Sequence, residues 1–211
     1  VKLNSKSHLI KTKQRDPQSL AWVSVDDALT LREAGLNIVG VGYTVYLGSA
    51  FEHDQMREAA QACMQAHRNG LIAVLWIYPR GEAVPEEQDP HLIAGATGLG
   101  ATLGADFVKV NYPKPKEGSP AESFKEAVKA AGRTRVITAG GSSTDVRKFL
   151  QTLHDQIFIS GAAGSATGRN IHQKSLKEAV QMTNAISAIT YGGLSVDDAM
   201  EVYEGKKQFA L

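Results

Sequence analysis

The chain has only one cysteine, Cys63, among 211 residues. A single thiol cannot build a disulfide framework, which points to a reducing, cytoplasmic compartment. There is almost no surplus of charge. The 23 Lys and Arg residues against 22 Asp and Glu leave a net charge of +1. No broad field favours nucleic acid or a membrane surface as partner. No apolar run reaches bilayer-spanning length, and the residues from Val1 onward show no signal-peptide pattern. His53, His67, His91, His154 and His172 are scattered without the spacing of a zinc site such as His-Glu-x-x-His. Surface or capping roles are expected for them. No glycine loop ends in Gly-Lys-Ser/Thr, so a Walker A nucleotide site is excluded.

What the chain does have is an alternation of strand and helix. Strand-like runs occur at Val1 to Ser5, Leu36 to Tyr46, Leu71 to Tyr78, Ala105 to Val110, Arg135 to Ala139 and Gly164 to Thr167. Helices are expected between them. Ser24 caps one with Asp26 and Asp27 in its first turn, and Gly35 stops it. Others run over Phe51 to Arg68, His91 to Leu103, Ser119 to Ala131, Thr144 to His154 and Lys174 to Thr190. Ser195 caps a last one through Tyr203. Repeated βα units imply a parallel sheet with helices outside it.

The position of the glycines selects the kind of parallel sheet. A doubly wound fold carries its phosphate loop after the first strand. Here the glycine-rich loops follow the last two strands, where (β/α)8 TIM barrels place phosphate sites after strands seven and eight. If the last two strands are seven and eight, Val1 lies on strand three. The expected organisation is then one barrel domain over residues 1–211, incomplete at its N-terminus, with 195–211 as a C-terminal helix and tail. Six strands cannot close such a barrel, so the natural protein is expected to extend before Val1 by at least two βα units.

Gly104 to Tyr112 holds the residue of greatest chemical interest. Period two places Val108 and Val110 on one face of its strand, and Phe107 and Lys109 on the other. A lysine amine turned into a parallel sheet loses hydration, and its pKa falls. A neutral amine is what Schiff-base chemistry with a carbonyl needs. The plainer alternative is a strand-end lysine that snorkels to water. On the preceding strand, Trp76 and Tyr78 share a face. Tyr78 at the carboxyl end could move protons, or both rings could be core aromatics. Arg80 could bind phosphate or pair with Glu82, and pairing is the favoured expectation. Gly140-Gly141-Ser142-Ser143 offers backbone N–H groups to a phosphate, or is an ordinary βα turn capped by Ser143. Gly168-Arg169 adds a glycine and a cation at the next strand end. Asp106 is assigned to the stability face, and Lys114 and Lys116 to solvated loop positions.

Taken together, these pieces resemble the archaeal-type class I fructose-bisphosphate aldolases, in their bacterial branch. The matching stretches are Gly42-Tyr43-Thr44-Val45-Tyr46-Leu47-Gly48-Ser49, Trp76-Ile77-Tyr78-Pro79-Arg80-Gly81, Gly104-Ala105-Asp106-Phe107-Val108-Lys109, Ala139-Gly140-Gly141-Ser142 and Thr167-Gly168-Arg169-Asn170-Ile171-His172-Gln173. The resemblance implies a (β/α)8 barrel with Lys109 as Schiff-base residue, Tyr78 as proton-transfer residue and Trp76 beside them. It implies that Gly140, Gly141, Ser142, Gly168 and Arg169 hold a substrate phosphate. It further implies a homo-oligomer serving glycolysis and gluconeogenesis, with no metal or cofactor. The family also places an acidic residue on a first strand that these residues do not include. Two rivals remain open: a Schiff-base lyase or transferase on another phosphorylated sugar, and a non-catalytic phosphate-binding or assembly subunit.

Overall fold

The structure is a computed structural model, described here for residues 1–5, 16–141 and 145–210. Its elements run α1 (Val25–Glu33), β1 (Gly40–Leu47), α2 (Glu52–Arg68), β2 (Ile72–Pro79), α3 (Pro90–Thr102), β3 (Phe107–Val110) and α4 (Pro120–Ala130). After them come β4 (Arg135–Ala139), α5 (Val146–Phe158), β5 (Gly164–Ala166), α6 (Arg169–His172), α7 (Leu176–Thr190) and α8 (Val196–Tyr203). All five strands are parallel and lie side by side in chain order. That order never reverses. Right-handed crossovers then deliver every helix to the same face, so the sheet curls as the arc of a (β/α)8 barrel.

The alternation along each strand shows which face is which. Ala73, Leu75 and Ile77 of β2 are buried against the helices, while Val74, Trp76 and Tyr78 are half-buried on the concave side. On β3, Val108 and Val110 are fully buried and Phe107 and Lys109 are half-buried, as period two predicts. One core joins these buried residues to Ala59, Ala66, Ile93, Phe124 and Ala127 of α2, α3 and α4. Each large aliphatic side chain removed from water there contributes about 1.5–3 kcal/mol. Gly100 lets α3 close on β3, because a Cβ at this position would stand 2.8 Å from Val108 Cγ2. A second core joins Phe149, Leu150 and Leu153 of α5 to Met182 and Ile189 of α7 and to Val196 and Ala199 of α8.

Several boundaries differ from the sequence reading. Leu36 to Val39 is not strand. Leu36 and Val39 are exposed, and the ladder begins at Gly40. Val1 to Ser5 forms one bridge, Lys2 to Gly42, rather than a sixth strand. The cause is Asn4. Its carboxamide takes the backbone N–H and C=O of Thr44, at 2.6 and 2.9 Å, where a strand backbone would have paired. Helix α5 starts at Val146, capped by Asp145, which accepts the N–H of Lys148. The four-residue α6 is additional to the sequence reading. Helices α1 and α8 begin at their predicted caps, Ser24 and Ser195.

Candidate active site

Parallel register aligns the concave face. Thr44 pairs with Trp76, Trp76 with Lys109, Lys109 with Ile137 and Ile137 with Gly164. One step toward the carboxyl ends, Tyr46 pairs with Tyr78. Trp76, Tyr78 and Lys109 therefore share one face at adjoining strand ends, the location of chemistry in barrels. The indole of Trp76 needs room, and Gly42 supplies it. A Cβ on Gly42 would stand 2.3 Å from the Trp76 ring.

Lys109 Nζ lies 5.7 Å from the centroid of that indole. Loss of hydration in this half-buried position lowers its pKa from the ordinary lysine value. The amine of Lys109 is directed over the indole. A second amine shares the ring, which the sequence reading missed. Lys2 Nζ lies 4.7 Å from the Trp76 centroid and donates to the Asn4 carbonyl at 2.8 Å, Asn4 Oδ1 at 3.0 Å and Thr44 Oγ1 at 2.5 Å. Burial of this amine, and after it the charge of Lys109, lowers it to about 7. Solvent reaching the exposed Lys2 residue weakens that shift. No local sequence signal marks Lys2, since only the Lys2–Gly42 bridge brings it to the face.

Tyr78 is tilted against Tyr46, with ring centroids 6.5 Å apart. Burial first, and Tyr46 second, push its phenol up to about 12, so at neutral pH it carries its proton. The Arg80 guanidinium lies 5.8 Å from the Tyr78 centroid and 6.0 Å from that of Tyr46. Its ion-pair partner is Glu87 and not Glu82. Nε donates to Oε1 at 2.7 Å and the terminal nitrogen to Oε2 at 2.6 Å, a bidentate fork. A cavity of about 430 Å³ lies against Arg80, Glu86, Glu87, Gln88 and Asn111.

The two glycine loops meet. The Asn170 amide donates to the Gly140 carbonyl at 2.9 Å, and a Cβ on Gly140 would stand 2.8 Å from Thr167 Cα. Gly141 has φ +66, a conformation glycine adopts without strain. Gly168 precedes α6 and Arg169 is exposed at its start. Ser142 and Ser143 lie outside the described residues. A cavity of about 310 Å³ opens beside Gly140 and Gly141, with Lys114 and Lys148 at its wall.

The remaining candidates lie elsewhere. Asp106 sits at the amino end of β3, where it accepts the Ala73 N–H at 2.8 Å and meets His67 Nε2 at 2.9 Å. Partial burial opposes ionisation, but those two partners outweigh it and hold the carboxyl below its usual range. A cavity of about 560 Å³ at that end, beside Asp106, Arg133 and Arg135, is remote from Lys109. Cys63 is buried, and burial pushes its thiol up to about 12, so it is no nucleophile. Among the described residues no cluster of His, Cys, Asp and Glu could hold a metal, and no helix is long and apolar enough to cross a membrane.

Comparison with known proteins adds independent findings. Residues 1–174 match the family model described as DeoC/LacD family aldolase. The chain is 57% identical over 209 residues to the fructose-bisphosphate aldolase/6-deoxy-5-ketofructose 1-phosphate synthase of Methanocaldococcus jannaschii, covering 99% of this chain and 66% of that protein. It therefore spans just under two thirds of that relative's length. A solved fructose-bisphosphate aldolase from Slackia heliotrinireducens superposes with TM-score 0.96 at 54% identity, covering 100% of this chain and 67% of its own. An archaeal fructose-1,6-bisphosphate aldolase, solved with its catalytic Lys bound to the carbinolamine intermediate of the substrate, superposes with TM-score 0.78 at 33% identity, covering 91% of this chain and 70% of its own.

Proposed function

The chain belongs to the DeoC/LacD family of aldolases, and from that premise we propose that its protein is a class I aldolase that cleaves fructose 1,6-bisphosphate through a Schiff base on Lys109. The observation that carries this reading is the convergence of Lys109, Trp76 and Tyr78 on one concave face. The reading agrees with the activity named for the relatives at 57% and 54% identity.

The steps follow from the residue types. The neutral amine of Lys109 adds to the substrate ketone, and the carbinolamine takes a proton from solvent and expels water to leave an iminium. The C4 hydroxyl gives up its proton to water. The C3–C4 electron pair flows into the iminium, forming an enamine, and C4 leaves as the aldehyde of glyceraldehyde 3-phosphate. Tyr78, which holds its proton at neutral pH, donates it to C3 of the enamine and recovers one from water. Hydrolysis of the remaining iminium frees dihydroxyacetone phosphate and the Lys109 amine. Gly140, Gly141, Ser142, Gly168 and Arg169 hold a phosphate, and that binding energy aligns the reacting carbons. The protein acts in the cytoplasm as a homo-oligomer, in glycolysis and gluconeogenesis.

A second reading is favoured by the double name of the 57% relative: another phosphorylated ketose passes through the same iminium. Relative turnover of fructose 1,6-bisphosphate and fructose 1-phosphate separates the two.

Borohydride trapping with dihydroxyacetone phosphate tests the nucleophile. The wild type is expected to gain one covalent adduct, located at Lys109 by peptide mass. Lys109→Ala is expected to gain none, and Lys109→Arg likewise, because a guanidinium keeps its charge. An adduct in either variant removes Lys109 from the role. No adduct in a folded wild type leaves the non-catalytic alternative standing.

A further inference from the structure

Behind the glycine loop of β4, the helix side of the sheet holds the cavity of about 310 Å³, for which the aldolase reading has no use. Its place follows from register. Thr138 is fully buried toward the helices, and its register partner is Ser165. Gln156 of α5 accepts the Thr138 hydroxyl at 2.7 Å, and both Gln156 and Ser165 line the cavity. Lys109 pairs with Ile137 and stands on the other face of the sheet. The cavity runs along α5. Eight residues separate Lys148 from Gln156, about 12 Å of helix axis. Between them the wall is apolar, made of buried Phe149 and Leu153 with the Tyr112 ring, itself edge-on to Phe124 at 5.3 Å. At the deeper end Gln156 is 5% exposed. Its Oε1 is taken by Thr138, but among the described residues its Nε2 has no acceptor. A buried amide donor calls for one. At the other end stand Lys148 and Lys114, both exposed. The lysine ion pairs of the described residues involve Lys125, Lys206 and Lys207 and neither of these two. Lys148 lies in the first turn of α5, where the helix dipole adds positive potential. Lys114 is held by Gln88, which accepts its N–H at 2.9 Å and donates to the Tyr112 carbonyl at 2.9 Å. Among the described residues no acidic side chain lines the cavity.

We infer that this cavity is a second binding site, separate from Lys109, for a small elongated carboxylate with an apolar middle and a hydrogen-bond acceptor at its far end. The carboxylate meets Lys114 and Lys148. The apolar middle lies on Phe149, Leu153 and Tyr112. The distant oxygen takes the free N–H of Gln156. Each part of the ligand answers a group that the protein leaves without a partner, and a concave, mostly apolar slot with a few placed polar groups is the ordinary form of a small-molecule site. The wall is formed before binding, because Gln88 fastens the Tyr112–Lys114 loop from two sides and Thr138 orients Gln156. The site does not depend on the chemistry assigned to Lys109.

The test is isothermal titration of the protein with para-hydroxyphenylpropionate, which has a carboxylate at one end and a phenol oxygen at the other. The wild type is expected to bind it at one site per chain. Phenylpropionate, without the phenol oxygen, is expected to bind about three- to tenfold more weakly, the worth of one hydrogen bond. A double variant, Lys114→Gln with Lys148→Gln, is expected to lose about three- to tenfold, as two exposed ion pairs would. Thr152 is a half-buried residue of the cavity wall on α5, and the ring in Thr152→Phe fills the space. That variant is expected to abolish binding, with circular dichroism and melting temperature showing that it still folds. Should it not fold, the lysine double variant decides. Arg169→Ala, at the loop assigned to a substrate phosphate, is expected to keep wild-type affinity. No binding by the wild type overturns the inference, and so does undiminished binding in a folded Thr152→Phe or in the lysine double variant. A loss in Arg169→Ala as large as in the double variant puts the probe on the substrate-phosphate surface and overturns it too. Failure of borohydride trapping at Lys109 would instead sink the aldolase reading and leave these titrations unchanged.

Discussion

At Lys109 the controlling quantity is how much of the amine is unprotonated, and that depends on its neighbours more than on its strand. The half-buried position over Trp76 lowers its pKa, so the reactive form gains as pH rises through a value below that of a free lysine. Tyr78 works with the opposite sign. Burial pushes the phenol up to about 12, so it rests as an acid and has a proton to give across the neutral range. Tyr78→Phe keeps the ring and removes only that proton. Schiff-base trapping at Lys109 is expected to survive the change, while turnover falls by roughly two to four orders of magnitude. Turnover near the wild-type level would make Tyr78 a packing residue of the Tyr46 pair.

The site is assembled at the level of elements by register and by two loops. Register puts Trp76 opposite Lys109, and a slip of β3 by one residue would turn Lys109 to the helix side, away from Trp76. The loops after β4 and β5 are tied through the Asn170 amide and the Gly140 carbonyl, so they present one surface. Arg169 is the exposed cation on it. Arg169→Ala is expected to weaken fructose 1,6-bisphosphate binding by about 1.5–3 kcal/mol, the range of a charge-assisted hydrogen bond. Binding of an unphosphorylated ketose should hardly change. Isothermal titration with both ligands decides this, and equal losses for the two would count against a phosphate contact.

At the scale of the molecule, the buried apolar side chains of the described residues gather in two cores. One spans β1–β3 with α2–α4, and the other joins α5, α7 and α8. The candidate site stands on the first, and the Gly140 loop leads into the helix that anchors the second. Leu150 is fully buried in the second core, and Leu150→Ala is expected to cost about 2–5 kcal/mol. If the cores open separately, amide exchange in α7 and α8 should accelerate in this variant while β2 stays protected. Equal acceleration in β2 would show one cooperative unit instead.

Local chemistry alone determined much of this. The βα alternation, the Ser24 and Ser195 caps, the period-two placement of Trp76, Tyr78 and Lys109, and the glycines after the last strands are all properties of a few adjacent residues, which is why they were legible. The expected first strand pairs with β1 only through Val1 to Leu3, because one long-range contact, the Asn4 carboxamide on the Thr44 backbone, ends the ladder there. Arg80 illustrates the same limit. The acid two residues away was the nearer in sequence, but the loop folds Glu87 into the bidentate position. Lys2 lies 107 positions from Lys109 and carries no motif. The sequence by itself determined which groups could carry the chemistry. Only the tertiary structure decided which charges share a ring, because an electrostatic shift depends on distance through space and on the water excluded between groups, and neither is a property of chain order.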